Sequence, residues 1–221
     1  MTDSLAQLGF VKLAGWKAAQ QPHQRLRMKK LLSFLSLLTA GCGPCEQVQL
    51  TPDERAWFPG HPKGTPIAFR SNRGHANTMT LTEQREWFNN TDCNKLESGA
   101  YQPIHIQFGL ESATLYDPKL PHFSIVADKT KPDVPARLQF SISGLEYPLP
   151  SGQKIGPTDV LIQEPCVLSS GKTYPAAYVF RDGQNARNYG TGRLKAFHWD
   201  KQAGLIRYEL ADGEVFERVG E

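Results

Sequence analysis

The sequence predicts a mainly β protein, formed by a single antiparallel β-sheet domain whose sheet is curved, as a half-barrel or in a lipocalin-like form. Short runs of alternating apolar and polar residues begin near residue 65 and recur to the end of the chain. The pair Asp212-Gly213 separates two of these runs and is typical of a hairpin turn. Residues 144–175 are rich in Gly and Pro and contain no helical pattern of useful length. Alternating runs, turn signals and few helices together indicate an all-β domain.

One short helix is expected ahead of the strands, beginning after Thr51. The Thr51 hydroxyl can accept a hydrogen bond from a free N–H group of the first turn, Pro52 suits the first helical position, and Glu54 completes a capping box. The Pro-Gly pair at 59–60 should end the helix after about two turns. Because so short a helix is unstable alone, Trp57 and Phe58 are expected to pin it to the domain.

The strands follow in order from residue 66. The runs 66–72 and 78–82 flank an Arg-Gly turn signal and predict a hairpin. A later strand is expected at 177–180. Three intermediate runs carry apolar residues at every second position: Ile104, Ile106 and Phe108; Phe123, Ile125 and Ala127; and Leu138, Phe140 and Ile142. Such half-polar strands favour antiparallel pairing, with one face of the sheet in contact with water.

The last thirty residues predict a three-stranded meander with strands at 194–199, 205–210 and 215–219. A two-residue turn at Asp212-Gly213 would place Leu210 opposite Val215 and Ile206 opposite Val219. Phe216 and the neighbouring charged residues would then face the other side of the sheet. The residues expected to be buried are Ile206, Tyr208, Leu210, Val215 and Val219.

A targeting signal is predicted at Met28–Cys42, far from the strands. Lys29 and Lys30 give a basic start, residues 31–38 form an apolar run, and small residues lead into Cys42. The run is far shorter than the roughly 20 residues of a membrane-spanning helix. Thr39-Ala40-Gly41-Cys42 resembles the lipobox of bacterial lipoproteins, in which Leu is commoner than Thr at the first of these positions. The resemblance implies cleavage before Cys42 and lipidation of its thiol.

This signal divides the chain into four parts. Residues 1–27 precede a complete signal and are interpreted as an upstream extension from a mis-assigned start codon; the alternative is a long basic start of the signal itself. Residues 28–41 are interpreted as the signal peptide, 42–50 as a lipid-anchored tether, and 51–221 as the β-rich domain. The first 41 residues contain six basic residues and one acidic residue, so their net charge is +5, whereas the net charge of the whole chain is +3. The part from Cys42 onward is therefore −2, which disfavours nucleic-acid binding.

The C-terminal region adds a second resemblance. The strand Gly204-Leu205-Ile206-Arg207-Tyr208, the Asp212-Gly213 hairpin and the run 174–180 resemble the end of small bacterial lipoproteins of the Gram-negative type. The front, at 69–78, is also similar to that group. The shared motifs are structural, and the group has no assigned activity, so the resemblance implies an envelope location, with anchoring in the outer membrane, and no catalytic residue.

Four cysteines are present: Cys42, Cys45, Cys93 and Cys166. If Cys42 is lipidated, three remain in an oxidising compartment, which predicts one disulfide and one thiol. Cys93 lies in a polar loop that the tether can bring to Cys45, so this pair is the predicted disulfide. Cys166 is expected to be a buried thiol. Cys42-x-x-Cys45 has zinc-like spacing, but no second pair follows, so no metal is expected.

No catalytic signature is found in the sequence. The histidines show no paired spacing for a metal, and His105 and His198 lie in alternating strands where a surface or core role is expected. The sequence therefore predicts a non-enzymatic envelope lipoprotein, a binding or structural module without a cofactor. Its partners would be the membrane, through Cys42, and a protein or apolar ligand. The alternative is a carrier that holds a lipid or other apolar ligand in a cavity of the curved sheet.

Overall fold

The computed structural model describes residues 44–93, 99–112, 123–148, 160–188 and 194–220, and these are mainly β-strand. One helix is present in this part of the chain, α1 at Pro52–Arg55. The strands are β1 Glu46–Gln47, β2 Pro66–Ser71, β3 Ala76–Phe88, β4 Tyr101–Gln102, β5 Ile104–Ser112, β6 Phe123–Lys129, β7 Arg137–Ile142, β8 Leu145–Tyr147, β9 Ile162–Val167, β10 Thr173–Arg181, β11 Arg187–Asn188, β12 Leu194–Asp200, β13 Gly204–Leu210 and β14 Val215–Arg218. The mainly β prediction is confirmed.

Twelve of the strands form one curled antiparallel sheet, as the sequence predicted. Its order is β11-β8-β7-β6-β5-β3-β2-β14-β13-β12-β10-β9. The C-terminal meander joins the first hairpin directly, because Phe216 of β14 pairs with Ser71 of β2. β1 and β4 form a separate, two-stranded parallel sheet that the sequence did not indicate. Two strands of the turn-rich region, β8 and β9, were also not predicted, since β8 has only three residues and β9 contains Pro165, which is tolerated at a sheet edge.

Aromatic rings fill the inside of the curled sheet. The Phe140 ring lies with its centroid 4.4 Å from that of Phe180, 6.0 Å from that of Phe197 and 6.4 Å from that of Trp199. Phe123 stacks on Trp199 at 5.2 Å. These residues come from strands in both halves of the sheet order, so ring-to-ring contacts hold the two sides of the curl together.

Helix α1 closes part of this core. Thr51 and Glu54 form the predicted capping box, but the helix ends at Arg55, earlier than the two turns expected. Trp57 follows the helix and packs into the core, with its ring 5.6 Å from Phe140 and 4.2 Å from Tyr178. The anchoring role predicted for Trp57 is confirmed.

A second buried cluster lies apart from the main core, around the β9–β10 hairpin and β13. It consists of Cys166, Leu168, Tyr174, Ala177, Ala203 and Ile206. The tip of the hairpin reaches β14, where the Ser169 amide donates a hydrogen bond to Glu217. Ile206 belongs to this cluster while Tyr208 belongs to the main core, because the β12–β13 register shifts between Trp199 and His198. A bulge of this kind turns successive side chains to different sides than simple alternation predicts.

The predicted register of the last hairpin is wrong by one residue. Tyr208 pairs with Phe216, and the Leu210 amide donates to the Glu214 carbonyl, so the turn has three residues instead of two. Gly213 has φ +84°, as expected for a three-residue turn with a glycine in the left-handed region. The slip turns Phe216 inward and leaves Val215 partly exposed and Val219 43% exposed. Ile206, Tyr208 and Leu210 are buried as predicted.

Candidate binding surface

The predicted lipidation site, Cys42, lies outside the described residues. Cys45 and Cys93, the pair predicted from the sequence, are joined as a disulfide with their Cα atoms 5.8 Å apart. Residues 46–50 are not a free tether: β1 pairs with β4, and Val48 and Leu50 are buried in a small cluster with Ile104, Ile106 and Ala127. The domain therefore begins only a few residues after Cys42.

The third described cysteine, Cys166, is a buried free thiol. Burial raises its pKa, although the neighbouring Arg207 opposes this effect. A thiol with a raised pKa in an apolar cluster is a poor nucleophile, because the thiolate is the reactive form. Cys166 is therefore interpreted as a core residue.

The described histidines mainly contact carboxylates. His75 Nδ1 lies 2.6 Å from Glu214, and His198 Nε2 lies 3.4 Å from Glu209. His105 Nδ1 bonds to Asp128, and its Nε2 lies 2.6 Å from the Asn89 amide nitrogen. Within the residues that the structure describes, no three metal-ligating side chains form a cluster.

A polar surface with one exposed tryptophan covers the outer side of β3, β5, β6 and β7. Alternation explains it: the apolar residues of these strands face the core, so the intervening residues face outward. Three cross-strand rows result, and together they are called the Trp87 face. The rows are Trp87, His105, Asp128 and Arg137; Arg85, Gln107, Val126 and Gln139; and Glu83, Gly109, Ser124 and Ser141.

Trp87 is the most distinctive residue of this face. The indole ring of Trp87 stacks on the His105 ring, with centroids 5.4 Å apart and an angle of 13° between the ring planes. Asp128 and Asn89 bond to the two nitrogens of that imidazole and fix the orientation of the ring. Trp87 remains 38% exposed. The indole is thus held in place and still open to solvent.

Two open depressions border this tryptophan and the rows beside it. The first, of about 610 Å³, is lined by Gln84, Arg85, Glu86, Trp87 and Gln107. The second, of about 310 Å³, lies over β7 and is lined in part by Ser124, Val126, Arg137, Gln139 and Ser141. Gly109 places no side chain in the third row, and a Cβ at this position would lie only 3.3 Å from the Cβ atom of Glu83.

Two of the charges on the Trp87 face, Arg85 and Glu83, are paired with each other, whereas Arg137 is exposed and forms no ion pair within the described residues. Arg85 forms an ion pair with Glu83, and the Gln107 amide donates to the same carboxylate at 3.0 Å. At the edge of β3, Arg55 binds Glu86 with two hydrogen bonds of 2.8 and 3.0 Å, which lower the pKa of that carboxyl. The hydroxyls, the Gln139 amide, the Arg137 guanidinium and the indole remain as the groups available to a ligand.

A second groove, of about 340 Å³, lies near the β9–β10 hairpin tip and is lined in part by Arg70, Arg207, Glu217 and Arg218. Arg207 lies 3.0 Å from Glu209 and 3.6 Å from Glu217. The His198 imidazole, 3.4 Å away, lowers the pKa of Glu209 to about 2, with Arg207 acting in the same direction against burial. Arg70 and Glu217 are direct cross-strand partners. Because these charges alternate across neighbouring strands, the groove is interpreted as a stabilising ion-pair ladder.

The sequence did not identify Trp87 or Gln107 as candidate site residues. The run 82–88 shows no hydrophobic alternation, because β3 extends past the core and both of its faces are largely exposed there. The available signal was the lone tryptophan in a polar strand segment. Among the described residues, no helix is long and apolar enough to cross a membrane. No protein-family model, curated protein or solved structure matches this chain.

Proposed function

We propose that the protein is a cell-envelope lipoprotein, anchored in the outer membrane through a lipid on Cys42, whose folded domain is a non-enzymatic binding module. The observation that carries the anchoring is the order of Met28–Cys42, in which a basic start, an apolar run and small residues precede one cysteine. The disulfide between Cys45 and Cys93 supports export, since such bonds persist in oxidising compartments.

The distance from the lipid to the domain supports a role close to the membrane surface. Cys42 precedes the disulfide-bonded Cys45 by three residues, which span about 10 Å when fully extended. Val48 is already fully buried in the domain. The domain would therefore remain within a short distance of the lipid headgroups.

The packing of the core favours a binding module over a carrier. A carrier needs an enclosed apolar cavity of several hundred cubic ångströms. Phe140 lies at the centre of the inner face, and its ring contacts those of Trp57, Tyr147, Phe180, Phe197 and Trp199. Rings at these distances occupy space that an apolar ligand would need, which supports binding at the outer surface.

The anchoring is tested by producing the full chain in a Gram-negative bacterium supplied with labelled palmitate. The wild-type chain should carry the label and sediment with outer membranes. Cys42→Ala should lose the label and leave the membrane fraction, whereas Cys166→Ala, which also removes one thiol, should keep both. Label retained by Cys42→Ala, or a wild-type peptide spanning Ala40–Cys45 without an acyl group, would overturn the proposal.

A further inference from the structure

We propose that the Trp87 face binds an oligosaccharide chain. The inference rests on the proposed function, since it names the ligand class of the binding module. Two features of the face carry it: an indole that is fixed and exposed, and rows of amide and hydroxyl groups.

The indole provides the apolar half of the site. The C–H groups on one side of a sugar ring form a flat apolar surface, which packs on an aromatic ring while the hydroxyls remain outside. Trp87 suits this contact because it is 38% exposed. His105, held by Asp128 and Asn89, supports the indole from one side, so little conformational freedom is lost on binding.

The rows beside the indole provide the polar half. Gln107 and Gln139 lie in one row and Ser124 and Ser141 in the next. Neighbouring strands stand about 4.8 Å apart, so the rows present donors and acceptors at intervals close to the length of one sugar unit. A chain of sugars lying across the strands would therefore meet a hydrogen-bonding side chain at most steps.

The charges of the face are compatible with a polyol. Arg85 is paired with Glu83, whereas Glu86 and its partner Arg55 belong to the opposite side of β3, because residue 86 alternates with 85 and 87. The exposed Arg137 in the first row adds N–H donors from which sugar hydroxyls can accept hydrogen bonds. A peptide added along the free side of β3 is the competing occupant, but the Arg55–Glu86 pair bridges that edge to helix α1, and charged residues at strand edges disfavour such pairing.

The test uses the full chain in a detergent without a sugar headgroup and titrates it by calorimetry with a tetramer of N-acetylglucosamine. We expect saturable binding by the wild type. Trp87→Ala should weaken binding about tenfold or more, as for an aromatic hot spot, and Trp87→Phe, which keeps an aromatic ring, should weaken it less. Gln107→Ala should also weaken binding. Gln163→Ala, which removes an exposed glutamine from β9, is the matched control and should bind like the wild type.

The outcomes separate this inference from the anchoring. The absence of binding to the tetramer, or equal binding by wild type and Trp87→Ala, would overturn the saccharide site while membrane attachment through Cys42 could still hold. A third outcome would also overturn it: the wild type binds an unrelated extended peptide tightly but does not bind the tetramer, and Trp87→Ala loses the binding of the peptide. Urea unfolding of each variant checks that it is folded under the conditions of the titration, because Trp87 is partly covered through its contact with His105.

Discussion

At the scale of single residues, a chain of hydrogen-bonded polar side chains runs through the core beside the aromatic rings. The Ser112 hydroxyl donates to the Asn77 carbonyl oxygen at 2.9 Å, and the Asn77 amide donates to the Tyr208 hydroxyl at 2.8 Å. Tyr208 is fully buried and stacks on Phe216, with ring centroids 4.8 Å apart. A buried hydroxyl in such a chain costs little, because its hydrogen bonds replace those it made to water.

Substitution of Tyr208 should separate the packing of its ring from the hydrogen bond of its hydroxyl. Tyr208→Phe keeps the ring and removes a partner of buried Asn77, so we expect a loss of about 1–2 kcal/mol in the free energy of unfolding. Tyr208→Ala also leaves a cavity and should lose about 3–5 kcal/mol. Urea unfolding of the full chain measures both. An unchanged midpoint for Tyr208→Ala would contradict the structural role of this residue.

At the scale of elements, helix α1 is held by a buried ion pair. Lys129 is only 3% exposed and lies 2.9 Å from Glu54, which also accepts hydrogen bonds from the amides of Thr51 and Ala136. Burial acts to raise the pKa of Glu54, but Lys129 and these amides outweigh it and lower the pKa to about 2. A second pair on the same helix, Arg55–Glu86, is exposed.

The two ion pairs should differ in their contribution to stability. Glu54→Gln leaves the Lys129 ammonium buried without its counter-charge, so we expect a loss of about 3–5 kcal/mol at pH 7. Glu86→Gln is the matched control and should lose less than about 1 kcal/mol, because exposed pairs are weak. Urea unfolding measures the difference. Equal losses for the two variants would contradict the anchoring role of the buried pair.

The same comparison predicts a pH dependence. The pKa of Glu54 is about 2 in the folded chain and near 4.5 when unfolded, so its stabilising effect is complete above the unfolded value. It is lost as the pH falls from about 4.5 towards 2, since the folded state must then take up the proton. The difference in the free energy of unfolding between wild type and Glu54→Gln, measured by urea unfolding at each pH, should therefore become smaller as the pH falls over this range.

The strands also show which parts of the fold could be predicted from the sequence alone. Alternation correctly predicted β2, β5, β6, β7 and the strands of the meander, because half-buried strands carry the pattern of burial in their residues. The register of β13 and β14 could not be predicted in the same way. A two-residue turn at Asp212-Gly213 and the observed three-residue turn ending at Gly213 both satisfy the local glycine preference, and they place Phe216 on opposite faces.

The Trp87 face was beyond sequence reasoning for a related reason. Its rows exist only through pairing between strands, and Trp87 and Arg137 lie far apart in the chain. The disulfide could be predicted from the sequence because few cysteines were available to pair. The burial of Val48 and Leu50 was not predicted, because the residues that pack against them belong to β5 and β6.

At the scale of the whole molecule, the sheet joins distant parts of the chain. β14 pairs with β2, so the sheet is complete only when the last strand meets one of the first. Contacts of this kind carry a large loop-closure entropy and make folding slow. A covalent link that shortens part of the unfolded chain therefore acts on the stability of the entire domain.

The Cys45–Cys93 disulfide should supply such a link. It closes a loop with a sequence separation of 48, for which the chain-entropy model gives a stabilisation of about 3–4 kcal/mol. We expect wild type treated with a reductant and the double variant Cys45→Ser, Cys93→Ser to unfold at similar urea concentrations, both below that of the oxidised chain. The reductant should have no effect on the double variant, which is the control for its action on the buried thiol of Cys166. Equal midpoints for the oxidised and reduced chains would show that this loop does not limit the entropy of the unfolded state.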